Sequence, residues 1–420
     1  MKLITSTSIV LLAGISAPVA AQMYGAPPPQ QQQQTAAQPG QSAEQAKQPQ
    51  IKLSGKAQKA IIDLQTAVKA NDVANIPAKV QAAQAVAQSK DDRYAIAQLQ
   101  LQAAVAAKND VAEAQAIDAI AASGYLPGDK VASLYNALGV QFYNAKQYDL
   151  AASTFQKAVA LNPQDPEGQK LYAEALNSQG KHAEAAAALQ KVIAMSSTGG
   201  RKADEALYKR ALSMAYGAKS PNAIDLGREW AAAYPTPDSW HNALAVYRNM
   251  GNPDPSSALD IMRLARATKS MEGTADYNIY AAETINAANW GEARAMIAEG
   301  LASGKIKASD PVIADIQKAL AGKASPTAAE LSSREAGAKV ATAYMRIGDA
   351  YYGAGNYAKA AEMYRQAAEK GGDANVANLR LGEALAMAGD KAGATAALSK
   401  VGGSLSQIAK FWAVYANRAG

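Results

Sequence analysis

From Ile51 onward, apolar and small residues return every three or four positions, and the runs are broken at short intervals by Gly, Asn, Asp or Pro. A period near 3.6 belongs to helices with one buried face, and runs this short imply helices paired into hairpins. Tyr135, Leu138, Gly139 and Phe142 fall on one face of a first helix, NAKQYDLA makes the turn, and Ala151, Phe155 and Ala158 form the stripe of a second helix. Pro163 closes the unit because proline cannot continue a helix.

The unit recurs after thirty-four residues: Leu138 maps onto Tyr172, Gly139 onto Ala173, Ala151 onto Ala185 and Phe155 onto Leu189. Near the C-terminus the same distance links Gly348 to Gly382, Tyr351 to Leu385, Ala360 to Ala394 and Tyr364 to Leu398. A fixed period of this length marks stacked supersecondary units. Gly139 and Ala151 are the small members of each stripe. Where two antiparallel helices cross, a missing side chain lets the backbones approach to roughly 8 Å, and Phe142 and Phe155 fill the wedge on either side. These spacings predict packing and carry no chemistry.

In these residues the chain resembles the tetratricopeptide repeat family, whose unit has an aromatic or leucine, then Leu-Gly, then Tyr, a Gly-x-Tyr-x-x-Ala turn, and a late Phe, Ala and Pro. YMRIGDAYYGAGNYAKAAEMYRQA, from Tyr344, is closer still, with Gly355, Tyr357 and Ala360 at the family's turn. Weaker copies fill the middle. LYKRALSMAYGAKSPNAIDLGREWAAAYP ends on Pro235 but has Gly227 where a large residue is expected; SWHNALAVYRNMGNPDPSSALDIMRLARA carries an insertion at Pro253 to Pro255; YNIYAAETINAANWGEARAMIAEGL has Trp290 at the turn. The resemblance implies an all-α fold, an α-solenoid of stacked helix-turn-helix repeats. It divides the chain into degenerate hairpins over 51–130, a repeat array over 131–306, a degenerate pair over 307–339 and a C-terminal pair over 340–403. One hairpin cannot bury its own apolar face, so such an array needs caps. Leu405, Ile408, Ala409, Trp412 and Tyr415 form a single stripe, which predicts a capping helix over 404–420. The rival reading is a helix that enters a partner's groove, and pairing of two copies through it would make a homo-oligomer.

Composition changes the picture at the N-terminus. Residues 1–21 combine Lys2, an apolar stretch from Ile9 to Ile15 and small residues before Gln22, the arrangement of a secretory signal cut after Ala21. The mature chain is therefore expected in the periplasm or secreted, with no transmembrane segment. Residues 22–50 are Gln- and Pro-rich with little to bury, and read as a disordered leader. There is no cysteine, which excludes disulfides, lipoprotein anchoring and Cys-based nucleophiles.

The resemblance implies that first helices line a concave surface for protein or peptide partners. Off the packing stripe of those helices lie Asn136, Tyr143, Lys170, Glu174, Lys209, Tyr216, Arg346, Asp349, Tyr352, Arg380 and Glu383, the candidate groove. Tyrosine beside mixed charge suits an extended polar chain, because it gives contact area at low entropy cost. The family's clamp for a terminal carboxylate uses paired Lys and Asn; Lys170 and Asn136 are present, but their partners do not line up. Two histidines, His182 and His241, make a His/Cys metal cluster unavailable, so neither metal nor cofactor is expected. Neither histidine has a serine motif nearby, and the chain is expected not to be an enzyme. A two-carboxylate cell-wall hydrolase and a self-associating structural protein are the alternatives to a binding scaffold. The net charge of +6 is interspersed with no basic stripe, so no nucleic-acid partner is expected.

Overall fold

The computed structural model describes residues 51–418, so the signal and leader over 1–50 and the last two residues lie outside it. The described chain is all-α: twenty-one α-helices with no strand, in two compact units that divide after Pro163.

The first unit holds α1 (Gly55–Lys69), α2 (Ile76–Val86), α3 (Lys90–Ala106), α4 (Asp110–Ser123), α5 (Gly128–Asn144) and α6 (Tyr148–Leu161), paired as three successive hairpins. The sequence-predicted helices before Lys130 are all present. Ser89 caps α3 in a reciprocal box with Asp92, and Asn109 caps α4 through Ala112 N. In the third hairpin a methyl added at Gly139 would lie 2.6 Å from the Phe155 ring, so the aromatic occupies the space the glycine leaves. The wedge expected beside the crossing is thus filled across it.

The second unit runs through α7 (Pro166–Ser178), α8 (His182–Ser196), α9 (Glu205–Gly217), α10 (Ala223–Ala233), α11 (Pro237–Met250), α12 (Ala258–Ala267), α13 (Gly273–Asn286), α14 (Trp290–Ala302), α15 (Pro311–Leu320), α16 (Ala328–Gly337), α17 (Ala341–Gly353), α18 (Tyr357–Glu369), α19 (Ala374–Met387), α20 (Lys391–Leu398) and α21 (Ser406–Asn417). Hairpins stack here as in an α-solenoid. The glycine-aromatic pair recurs at Gly348, where a methyl would meet the Tyr364 ring at 2.6 Å. Gly227 has a different reason for its size: a methyl there would sit 3.2 Å from the Ala243 backbone, so α10 approaches α11 through the position where bulk was expected. The region 307–339 departs from a hairpin, since α15 packs on α13 and α14 while α16 packs on α17.

The C-terminal helix corrects the simple cap. Besides α19 and α20, α21 packs on α10 and α12, two helices of the middle repeats. Phe411 stacks near Trp240 and Tyr247, at 6.4 and 5.5 Å between centroids, and the Trp412 indole donates to the Asp260 carbonyl at 3.1 Å. Ile408, Phe411 and Trp412 are fully buried. The apolar stripe that pairing of two copies through this helix would use is consumed inside its own unit.

Candidate functional site

Two of the predicted groove residues open onto one cleft. Asp204 caps α9 by accepting from Ala206 N at 2.9 Å, and Thr236 caps α11 in a box with Ser239, fixing where these two first helices begin. Between them lies a cleft of about 490 Å³, lined by Lys209, Leu212, Ser213 and Tyr216 of α9, Trp230 of α10, and Asp238, Asn242, Ala245, Val246 and Asn249 of α11. Trp230 forms a buried floor, its indole donating to Glu205 at 3.0 Å. The Lys209 ammonium lies 5.2 Å from that ring, between Glu205 at 3.4 Å and Asp238 at 3.6 Å. Tyr216 is 43% exposed and accepts from Asn249 at 3.3 Å. An aromatic floor rimmed by amides and opposite charges can hold apolar side chains and backbone amides of an extended segment together.

The other candidates are placed differently. Asn136 and Tyr143 are half-buried on α5, where the Tyr143 ring meets Tyr148 edge-on at 5.3 Å. Lys170 pairs with Glu167, and Arg346 is exposed on α17. Glu174 is buried beneath Arg210; burial raises its pKa and the guanidinium opposes that rise.

Asp349, Tyr352, Arg380 and Glu383 are not on an open face. α17 packs against α14, so the side of α17 and α19 that was expected to meet solvent closes onto α12–α14 around a charged cluster. At its centre is Arg263, wholly buried, whose Nε and Nη2 each donate to Glu292 at 2.8 Å and whose Nη2 also reaches Asp349 at 3.2 Å. Arg380 donates to both Asp349 oxygens at 3.2 and 3.0 Å and to Asp260 at 3.3 Å. Tyr364 donates to Asp349 at 2.8 Å and Tyr280 to Glu292 at 2.6 Å. The Arg263 guanidinium stacks 4.1 Å from the Tyr352 ring centroid. Burial, with nearby carboxylates, pushes the Tyr280, Tyr352 and Tyr364 hydroxyls far up, and Tyr280 and Tyr364 donate to carboxylates of the cluster.

Sequence reasoning missed Asp260, Arg263 and Glu292. The available signal was Arg263 itself, a charge set among Leu259, Ile261, Met262 and Leu264 in a helix that buries most of its circumference.

The model of the tetratricopeptide repeat matches residues 136–200 and 345–401, the segments that contain the glycine-aromatic pairs. These two segments carry the tetratricopeptide repeat pattern. No curated protein matches it. Among solved structures, it is similar to the TPR2AB domain of yeast Sti1 in a complex with pHSP90 (16% identity, 69% of this chain and 99% of that chain covered, TM-score 0.22). It is also similar to a tetratricopeptide repeat protein from Parabacteroides merdae (13% identity, 66% and 93% covered, TM-score 0.24).

The histidines stand apart from both sites. His182 is exposed at the start of α8, with Nδ1 2.8 Å from Asn177 Oδ1. His241 bonds the Ser270 carbonyl at 3.1 Å, and its Nε2 lies 3.8 Å from Glu272, an acid partner that the sequence did not reveal. The Ser270 hydroxyl is engaged with Thr268 Oγ1 and the Ala265 carbonyl. Among the described residues, no group of three or more His, Asp or Glu is arranged to hold a metal, and no helix is long and apolar enough to cross a membrane.

Proposed function

We propose that this protein is a non-catalytic scaffold that holds a partner protein by an extended segment laid in the cleft between α9 and α11. Its tetratricopeptide repeats support a protein-interaction role. The observation that carries the reading is the convergence of Tyr216, Trp230, Lys209 and Asn249 from successive repeats on one open cleft. Three of the four carboxylates in the middle of the second unit, Asp260, Glu292 and Asp349, are engaged with Arg263 and Arg380, which favours binding over hydrolysis. The signal-like residues 1–21 support a periplasmic setting, with cell-envelope assembly or trafficking as the role.

In-cell photo-cross-linking from Tyr216 should capture one or a few envelope proteins, with the mature chain beginning at Gln22. Tyr216→Ala with Lys209→Ala should weaken the captured partner about tenfold, the cost of one aromatic anchor. Unchanged affinity would remove this cleft from the proposal.

A further inference from the structure

The charged seam of the second unit holds more carboxylates than its cations can neutralise. Asp260 and Arg263 come from α12, Tyr280 from α13, Glu292 from α14, Asp349 and Tyr352 from α17, Tyr364 from α18, and Arg380 and Glu383 from α19; from α21, the uncharged Trp412 indole faces Asp260. That is four carboxyl groups against two guanidiniums. Glu292, Asp349 and Asp260 each receive arginine hydrogen bonds, whereas Glu383, 0% exposed, receives none at either oxygen among the described residues. Its cation partner, Arg263 Nη1, stands 3.8 Å away, beyond hydrogen-bond reach. An ionised carboxylate so placed would bear a desolvation cost that a cation without a hydrogen bond offsets only in part.

We propose that Glu383 is held as the neutral acid, and that its proton is a pH-set latch closing the C-terminal repeats onto α12–α14. Burial first, then the Asp260 charge, drives the Glu383 pKa far above the usual carboxylate range, against Arg263 and Arg380; burial also raises Asp260. A carboxyl raised in the folded state stabilises fully below its unfolded pKa, and that stabilisation is lost as pH rises through the folded value. Acid therefore tightens this seam and alkali loosens it. Opening would release α21 and uncover Asp349, Tyr352, Arg380 and Glu383, the candidates that the repeat pattern assigned to a binding face. The latch thus becomes a control on partner access; that consequence rests on the scaffold reading, while the latch itself does not.

The test is the melting temperature of the full chain from about pH 6 to about pH 9, with hydrogen exchange of the α21 amides as a second readout. Glu383→Gln supplies a permanently neutral side chain of the same shape. The unsubstituted protein should lose roughly 5 °C relative to Glu383→Gln across that range, and only its α21 amides should exchange faster with rising pH. Should Glu383→Gln fail to fold, Asp260→Asn serves in its place, and it should shrink the same loss by removing the charge that raises Glu383. Curves that run parallel for the protein and its folded variant, with α21 exchange independent of pH, would overturn the latch. Partner capture plays no part in either readout, so failure of the latch is distinguishable from failure of the scaffold reading.

Discussion

The seam inside the α5–α6 hairpin and the seam between α12–α14 and α17–α19 solve the same packing problem by opposite means. In the hairpin, Gly139 faces Phe155 across a dry crossing, the partners are sixteen residues apart, and a missing side chain sets the distance between backbones. In the long-range seam, Arg263 reaches Asp349 eighty-six residues on and Arg380 reaches Asp260 one hundred and twenty residues back, through directional hydrogen bonds. Closing a short loop costs little entropy, so shape alone can specify the hairpin. Two helical faces brought together from far apart have many registers available, and a bidentate arginine admits few of them. The comparison makes the first seam tolerant of polarity changes and intolerant of volume, and the second the reverse.

Arg263→Met should be the most damaging single change, because it keeps much of the volume but leaves Glu292 buried without its cation. The expected loss is about 4 kcal/mol in urea unfolding of the full chain. Replacing Glu292 by Met as well should recover much of it, since a well-packed apolar pair is often as stable as a buried ion pair. A loss under about 1 kcal/mol for the single variant would mean that the apolar contacts of α21 hold the seam unaided. Next comes Gly139→Leu, which drives a side chain into the Phe155 ring and should cost about 3 kcal/mol. Gly139→Ser, polar but smaller, should cost less than the leucine variant; equal losses would show that volume is not what this seam reads.

What was legible follows the same division. The hairpins could be read because each is written within one repeat, and Gly139, Phe155, Gly348 and Tyr364 hold the positions their spacing implied. Gly227 looked like a defect until Ala243, one helix on, supplied its reason. Closure of the C-terminal repeats onto the middle could not be read from a pattern of period thirty-four, because nothing within one repeat records which distant repeat it will meet. That is why Asp349, Tyr352, Arg380 and Glu383 were assigned to a solvated face, and why Trp412 looked like a cap. Lys209 and Tyr216 stay exposed at the cleft because α9 and α11 belong to successive repeats, and no distant repeat closes over them there.

Asp92 tests whether distance along the chain, rather than polarity, is the deciding variable, because its knot is polar yet rests on a local motif. Ser89 and Asp92 form a capping box at the start of α3, where the carboxylate accepts from Gln88 N at 2.9 Å and Ser89 N at 3.0 Å, and it also ties the start of α1 by accepting from Ser54 N at 2.9 Å and Ser54 Oγ at 2.7 Å. Burial alone would raise its pKa, but these donors hold it down to about 2. A carboxyl lowered from 3.8 to about 2 contributes stability that is complete above its unfolded value and is lost as pH falls through the folded one. Asp92→Asn should therefore cost roughly 2 kcal/mol near neutrality, and that difference should vanish as the pH approaches 2. The first unit should weaken below about pH 4, where Asp92 takes up its proton, whereas the Glu383 seam of the second unit should weaken only as pH rises, so α1 and α21 should respond at opposite ends of one pH series. If Asp92→Asn instead costs nothing at neutral pH, the capping box is ornamental, and the hairpins of the first unit depend on apolar seams such as Gly139 with Phe155 alone.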